Sequence, residues 1–272
     1  MLSFLFWNIN NKNLCEQIHS IVKNNDIDVL ALAESKIPPQ DILNELNSKA
    51  ESEYFYHTKL GCSKVDIYTR FSKYFMKIIY EKDRITIRQL SLPNRPDLLL
   101  AIMHYPDKRN YKPSEQASHC KTYLEYIRIA EQMVGHERTI FYGDFNMNPF
   151  EEGVVSSDGL HAVLSKRIAK KEKRVVDDNE CPFFYNPMWN LFGDSKDGPP
   201  GSYYYYGSTP LVYFWHIFDQ VLIRPDLIDY FNNNELKILT SYGEGVKLTN
   251  RNGIPNSRRF SDHLPLFFCL NL

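Results

Sequence analysis

The sequence predicts an α/β protein in which two mixed β-sheets pack face to face and helices cover the outer faces. Its segments come in the order strand, helix, strand, helix, then several successive strands, then a helix and a strand. Hydrophobic residues make up 43% of the 272 residues, which is enough for a sizeable core. This order favours two sheets around a shared core over one wholly parallel sheet.

The first four elements follow from hydrophobic periodicity. Leu2–Trp7 is a mostly apolar run that predicts a buried strand, and apolar residues at helical spacing predict an amphipathic helix over Leu14–Asn24. Asp28–Ala33 predicts a second strand. The pattern over Pro38–Ala50 predicts a second helix.

Strands dominate the next part of the chain, where turn residues separate β-rich runs. These predicted strands are Val65–Phe71, Tyr74–Tyr80, Arg84–Leu92 and Leu98–Tyr105. A long helix over Ser114–Val134 and a strand over Thr139–Tyr142 follow. Residues 149–213 have a poor pattern, and Ile217–Ile223 and Leu264–Leu270 are the predicted closing strands.

Net charge and cysteine usage limit the setting in which the protein acts. The formal net charge of −1 argues against a protein that coats nucleic acid through its overall charge. The five cysteines are odd in number, scattered and without a C-x-x-C pair, which indicates a reduced, cytoplasmic protein. We expect no membrane span, because no run approaches the roughly 20 apolar residues of a spanning helix. Met1–Asn8 lacks the basic start of a signal peptide and predicts a buried strand instead.

Three short polar strings border predicted strands near the start, the middle and the end of the chain. They are Trp7-Asn8-Ile9-Asn10, Gly143-Asp144-Phe145-Asn146 and Ser261-Asp262-His263. Polar residues at the ends of buried strands are where α/β proteins build sites. This set of carboxamides, carboxylates and an imidazole suits a hard divalent cation and a phosphate ester. Because the strings must converge to form one site, residues 1–272 are expected to form a single domain.

These strings, with two single residues and one four-residue strand between them, resemble the motifs of the endonuclease/exonuclease/phosphatase superfamily, which has the DNase I-like fold. The resemblance covers Phe4–Phe268 in the family's order. The matching positions are Asn8, Glu34, His104, Gly143, Asp144, Asn146, Asp219-Gln220-Val221-Leu222 and Ser261-Asp262-His263. Ala33 departs mildly from the pattern, since the family often has Gln there. The resemblance implies a DNase I-like four-layer α/β sandwich and hydrolysis of phosphate esters with Mg²⁺, for which Mn²⁺ can substitute.

The expected metal site uses oxygen ligands. Glu34 is the best candidate, because Mg²⁺ prefers one or two carboxylates together with waters and substrate oxygens. Asp262 is expected to add a second carboxylate, directly or through water, and Asn8 to support the same ion. Taken alone, Asn8 would more often be a turn residue, and Glu34 is as often an exposed residue at a strand end.

The remaining motif residues suit catalysis, which needs an activated water, relief of charge on the phosphate oxygens and help for the leaving oxygen. In an extended segment Asp144 and Asn146 point to one side, where Asn146 would hold the water or a phosphate oxygen. Either Asp144 or His263 is the expected base. Asp219 is the expected anchor of His263, since a lone carboxylate in an apolar strand is costly. His104 is expected to donate to a phosphate oxygen or to act as the general acid, with a surface histidine as the alternative.

Three further features bear on the substrate. Ser165–Val175 holds six basic residues and one acidic residue, a local charge of +5, and predicts either a solvated helix or loop or a clamp for a polyanion. Arg258 and Arg259 precede the last string and are better placed to bind a phosphate. Tyr203–Tyr206 with Trp215 predicts either a strand with one face in the core or a surface on which unpaired bases stack.

The function predicted from the sequence is that of a Mg²⁺-dependent phosphodiesterase, specifically a nuclease acting on DNA or RNA. A phosphatase of a small phosphorylated molecule or of a phospholipid headgroup is the alternative among hydrolases. A catalytically inactive binding module is the alternative of another class, and the intact acidic and imidazole groups argue against it. We expect a monomer whose partner is nucleic acid or another phosphate ester.

Overall fold

A computed structural model describes residues 1–48, 53–193, 198–208, 210–243 and 245–272. Within these ranges the chain forms two large mixed β-sheets with helices on their outer faces. The α-helices are α1 (Cys15–Asn24), α2 (Pro39–Asn47), α3 (Pro113–Val134), α4 (Glu152–Val155) and α5 (Lys166–Ala169). The strands are β1 (Leu2–Asn8), β2 (Val29–Ala33), β3 (Phe55–His57), β4 (Val65–Thr69), β5 (Met76–Lys82), β6 (Ile85–Leu90), β7 (Leu98–His104), β8 (Thr139–Asp144), β9 (Ala162–Val163), β10 (Lys173–Val176), β11 (Asn179–Pro182), β12 (Phe184–Tyr185), β13 (Tyr203–Tyr204), β14 (Trp215–His216), β15 (Asp219–Ile223), β16 (Lys237–Ile238), β17 (Ser241–Gly243), β18 (Val246–Lys247) and β19 (Leu266–Leu270).

The first sheet has the strand order β16-β19-β1-β2-β4-β3. Its central strand β1 is parallel to β2, with Asn8 opposite Ala33, and antiparallel to β19. Every residue of β1 is buried. A continuous buried run is typical of a strand that is covered on both faces, which explains why the N-terminal segment reads as apolar.

The second sheet has the strand order β5-β6-β7-β8-β15-β12-β9. β7 and β8 are parallel, with His104 opposite Asp144, and β8 and β15 are antiparallel, with Asp144 opposite Asp219. Three neighbouring strands therefore bring these three polar side chains to one edge of the sheet.

The two sheets pack against each other through an aromatic core. Phe4 of β1 stacks on Phe268 of β19 with ring centroids 4.8 Å apart, and Tyr142 of β8 meets the edges of both rings. The outer face of the first sheet packs against α1 and α2, and the outer face of the second packs against α3. The order helix, sheet, sheet, helix confirms the predicted four-layer sandwich.

Most predicted elements are present, with their ends shifted by a few residues. The predicted helix over Pro38–Ala50 is observed as α2, and its last two residues lie outside the described ranges. Ser165–Val175, predicted as a solvated helix or loop or as a clamp for a polyanion, divides into α5 and the start of β10. Asp177 and Asp178 both have positive φ (47° and 62°), the conformation that a two-residue hairpin turn requires, and they join β10 to β11.

The described helices and the cysteines have the following features. No helix in the described ranges is both long enough and apolar enough to cross a lipid bilayer. Even the 22-residue α3 carries charged side chains such as Glu125 and Arg128. All five cysteines are free thiols, and four of them are buried.

A buried ion pair holds α3 against β8 and β15. It contacts the start of β8 and the end of β15, which lie far from the edge that carries Asp144 and Asp219. Arg224, directly after β15, donates to both carboxylate oxygens of Glu131 on α3 (Nε–Oε1 2.8 Å, Nη2–Oε2 2.9 Å) and to the carbonyl of Phe183 (3.1 Å). Thr139 at the start of β8 donates to the same carboxylate at 2.6 Å. This contact ties α3 to the two strands that carry Asp144 and Asp219.

Replacing one partner of this pair is expected to destabilise the fold strongly. Glu131→Ala should lower the free energy of unfolding by about 3–5 kcal/mol in urea denaturation, because Arg224 is left buried and unpaired. The double variant Glu131→Leu with Arg224→Met should recover most of the loss. Glu125→Ala on the exposed face of α3 is the control, expected within about 0.5 kcal/mol of wild type. Equal losses in Glu131→Ala and the control would contradict the structural role of the pair.

Candidate active site

Strand ends deliver six polar residues to one edge of the sandwich. Asn8 ends β1, Glu34 follows β2, His104 ends β7, Asp144 ends β8, Asp219 begins β15 and His263 lies shortly before β19. Within the first sheet, Trp7 Nε1 donates to the carbonyl of His263 (2.9 Å), and Ser261 Oγ donates to the carbonyl of Asn8 (2.6 Å). The two sheets meet where Asn8 Nδ2 donates to Asp144 Oδ2 (3.0 Å). The structure thus brings the three predicted strings into one pocket.

Gly143 sets the spacing between the two strands that carry His104 and Asp144. Its φ is +147°, and an added Cβ would lie 2.0 Å from the carbonyl oxygen of Met103 on β7. Every other residue type would therefore push β7 and β8 apart, which explains the glycine before Asp144.

One half of the pocket is an acidic cluster that spans both sheets. The amide of Asn8 donates to Glu34 Oε1 (3.2 Å) and to Asp144 Oδ2 (3.0 Å). His104 Nε2 lies 3.3 Å from Glu34 Oε1 and 3.7 Å from Asp144 Oδ2. The hydrogen bonds from His104 and Asn8 outweigh the effect of burial and lower the pKa of Glu34 to about 2. Glu34 is therefore ionised throughout the physiological pH range.

The backbone of Glu34 is held in an uncommon conformation. Its φ is +49°, in the left-handed region, which costs about 1–3 kcal/mol for a residue other than glycine and persists only where its surroundings enforce it. Its carbonyl accepts from the backbone N–H of Asn11 (2.8 Å), and Asn11 Nδ2 donates to Glu34 Oε2 (3.2 Å). Such strain is concentrated at functional sites.

The other half of the pocket is a charged hydrogen bond between Asp219 and His263. His263 Nδ1 lies 2.8 Å from Asp219 Oδ2, and Asp219 is fully buried. His263 Nε2 points toward the acidic cluster, 3.8 Å from Asp144 Oδ2. Burial alone would lower the pKa of His263, but the carboxylates of Asp219 and Asp144 outweigh it and raise the pKa to about 10. At neutral pH the imidazole carries a proton on both nitrogens.

The remaining predicted site residues surround this pocket less directly. The expectation of an extended segment at Asn146 is wrong, because its φ is +48° and the backbone turns. Its N–H donates to Asp144 Oδ1 (2.8 Å), and its Nδ2 donates to the carbonyl of Tyr105 (3.0 Å). Asp262 is half-buried, and its negative charge helps to raise the pKa of His263.

Arg258 and Arg259 are exposed, and no contact in the described ranges joins either one to the acidic cluster. The guanidinium of Arg259 lies 5.3 Å from the ring centroid of Phe260. That Arg258 and Arg259 bind a phosphate stays a prediction.

Comparison with known proteins identifies the architecture. A sequence profile of the Endonuclease/Exonuclease/phosphatase family matches residues 5–263. The chain belongs to this family. It is therefore a hydrolase of phosphate esters, like the metal-dependent enzymes of the family. A search of curated protein sequences gives no match.

Solved structures of the same fold align with the whole chain. TDP2 from D. rerio, complexed with a single-strand DNA product, is 16% identical with a TM-score of 0.56, and the match covers 100% of this chain and 99% of that chain. An AP endonuclease from Archaeoglobus fulgidus is 14% identical with a TM-score of 0.55, and the match covers 100% of both chains. At these identities the likeness confirms the DNase I-like fold and nothing finer.

Two cations near the family motifs, Lys108 and Arg109, were not predicted from the sequence. The ring of Tyr203 lies 4.8 Å from that of His263, and the positive charge of Arg109 nearby acts against the burial that raises the pKa of Tyr203. Lys108 pairs with Glu151 and lies 5.4 Å from the ring centroid of Phe218. The only sequence signal for the two cations is a Lys-Arg pair in the loop after β7, which is too common to single out.

Asn148, which was not predicted from the sequence, contacts His216 and the segment that leads into Asp219. Its Oδ1 accepts from the backbone N–H of Ile217 (3.0 Å), and its Nδ2 lies 3.0 Å from His216 Nδ1. Both side chains are buried. They support the segment that leads into Asp219 and have a structural role.

The basic segment at 165–175 lies at the opposite end of the sandwich. Lys170 pairs with Asp229, in the connection that follows the far end of β15, and Lys173 pairs with Glu180 at 2.7 Å. Arg174 donates to His161 (2.8 Å). The structure therefore does not bring this segment to the pocket, and the solvated-face alternative agrees with its position.

The raised pKa of His263 gives a direct test of the geometry. In ¹⁵N NMR of histidine-labelled protein in EDTA, His263 should stay doubly protonated at pH 8 and titrate near pH 10, since the folded pKa lies above the usual 6.5. The stability that this proton confers is full below pH 6.5 and is lost as the pH rises toward 10. Asp219→Asn should move the midpoint down, because it removes the nearest carboxylate. A wild-type midpoint near 6.5 would contradict the pairing.

Proposed function

We propose that this protein is a Mg²⁺-dependent phosphodiesterase that cleaves nucleic acid. The observation that supports the proposal most strongly is the placement of an ionised Glu34 and of Asp144 opposite a protonated His263 in one pocket. A carboxylate pair facing a cationic donor suits a phosphodiester, which needs both an activated water and relief of negative charge. We further propose that residues 1–272 act as one domain, as a monomer, in the cytoplasm, where free thiols persist.

The donor set fits a hard divalent cation. The carboxylate of Glu34 is ionised, and about a third of its side chain is exposed to the pocket. Asn8 adjoins it, and Asp262 supplies further negative charge nearby. Oxygen donors of this kind suit Mg²⁺, and Mn²⁺ accepts the same donors. The bound ion would neutralise charge on the phosphate and polarise the bond to phosphorus.

A second possible ligand set is less suitable. Ligand atoms of Asp144, Asp219 and His263 lie within 4.8 Å of one another. Two of these residues already form the buried charged pair, however, and His263 Nδ1 is occupied by Asp219. We therefore propose Glu34 as the principal ligand.

The charge state of His263 also assigns the catalytic roles in this proposal. A histidine that holds its proton at neutral pH is a poor base and a good donor, so His263 Nε2 donates to a phosphate oxygen while Asp219 fixes its ring. Asp144, positioned by donors from Asn8 and from the Asn146 backbone, takes the proton from the attacking water. His104, beside Glu34 and Asp144, donates to a second phosphate oxygen or to the leaving oxygen.

Nucleic acid is the proposed substrate for two reasons. Solved structures of the same fold include a protein complexed with a single-strand DNA product and an AP endonuclease. In this chain, Lys108 and Arg109 lie beside the pocket, where a polyanionic backbone would continue beyond the cleaved bond.

Removing either catalytic group should abolish hydrolysis without unfolding the protein. We expect Asp144→Ala and His263→Ala to lower kcat by about a thousandfold or more on the best substrate in a panel of single- and double-stranded DNA, RNA, abasic DNA and phosphoinositides. EDTA should abolish wild-type activity, and added Mg²⁺ should restore it. Asp229→Ala, at the far end of the sandwich, is the matched control and should keep full activity.

Circular dichroism should show the same fold in all of these variants. If the wild type with Mg²⁺ or Mn²⁺ cleaves neither nucleic acid nor any other ester of the panel, the proposal fails in favour of an inactive binding module.

A further inference from the structure

A surface of exposed aromatic rings adjoins the pocket. The segment 203–216, here called the aromatic hairpin, pairs β13 with β14, and Thr209 within it lies outside the described ranges. The sequence left open whether its tyrosines form a strand with one face in the core or a stacking surface. Tyr205 and Tyr206 are exposed, as are Tyr213 and Phe214. Tyr206 exposes 76% of its surface.

The aromatic hairpin is continuous with the catalytic histidine. Tyr203 forms an isolated β-bridge with His263, and their rings lie 4.8 Å apart. Further out, the ring of Phe214 lies 6.4 Å from that of Tyr204 and 6.0 Å from that of Tyr206. The rings therefore extend from the proposed position of the scissile phosphate toward solvent.

One member of this surface has a strained backbone. Phe214 has φ of +62°, an uncommon conformation for a bulky residue, and its side chain remains exposed. Because the ring is exposed, its packing does not compensate for the free energy that this backbone conformation costs. Strained residues that packing does not explain are concentrated where a protein binds a ligand.

The charge distribution limits what the aromatic hairpin can bind. Residues 201–215 include no Asp, Glu, Lys or Arg. The cations Lys108 and Arg109 lie instead at its base, beside Phe218 and Tyr203. A phosphate backbone would find cationic partners at the base, whereas the exposed rings offer stacking faces to planar or apolar groups.

We propose that the aromatic hairpin stacks unpaired nucleobases next to the scissile phosphate, so that the substrate is single-stranded nucleic acid or a single-stranded end of a duplex. Stacked and paired bases inside a duplex have no free faces for these rings, whereas every unpaired base has one. The preference should be tolerant of sequence, because stacking does not read the base edges. This inference rests on the proposed function and names its substrate class.

Binding measured without cleavage tests the stacking surface by itself. In fluorescence anisotropy with a labelled single-stranded oligonucleotide in EDTA, Tyr206→Ala with Phe214→Ala should weaken binding about tenfold or more. Tyr206→Phe should bind like wild type, because it keeps the ring. Tyr74→Ala, another highly exposed tyrosine, is the matched control and should not change the affinity. The affinity for a blunt duplex should fall by less than twofold.

Kinetics add a readout that a loss of folding would not reproduce. With Mg²⁺, the double variant should lose at least ten times more kcat/KM on the oligonucleotide than on bis(p-nitrophenyl) phosphate, mainly through KM. Three outcomes would each overturn the proposed stacking: equal losses of kcat/KM on both substrates, an equal loss of affinity for the duplex, or an unchanged affinity for the single strand. Reduced binding to phosphatidylcholine vesicles with no loss of single-strand affinity would overturn it in favour of a lipid contact.

The two proposals fail separately. If the wild type hydrolyses none of the substrates, the proposed function is wrong, and anisotropy alone then decides whether the aromatic hairpin binds unpaired bases.

Discussion

The charged hydrogen bond between Asp219 and His263 is the interaction on which the pocket depends. Asp219 lies in the second sheet, and His263 leads into the last strand of the first sheet. A fully buried carboxylate is costly unless a partner compensates it, so the hydrogen bond from His263 stabilises Asp219 and β15 in this position. The chemistry and the closure of the sandwich are therefore coupled, and the pocket exists only when both sheets are assembled.

The sequence predicted the central strands, the layer order and the group of residues that meet at the pocket. Buried strands such as β1 and β8 read as apolar runs, and a polar residue at the end of such a run stands out. Asp219 was predicted for a physical reason, since a carboxylate within an apolar strand needs a partner. The roles assigned to Asp262, Arg258 and Arg259 stay predictions.

The parts that the sequence did not predict depend on contacts between distant segments. The two-residue strands β9 and β12 are too short for any periodicity, and their positions follow from pairing with neighbours. The sequence left two alternatives open for Tyr205 and Tyr206, because an uncharged aromatic run has the same composition whether its rings are buried or exposed. The positions of Lys108 and Arg109 depend on how the loop after β7 folds, which no local pattern specifies.

The contact between Gly143 and Met103 gives one part of the catalytic geometry an unusual origin. The two strands approach closely because an atom is missing, and this absence places His104 across from Asp144. A single methyl group on the backbone at Gly143 would widen the gap between Asp144 and His104, although it would touch neither side chain. The spacing between these two side chains is therefore set by main-chain sterics at the position next to Asp144.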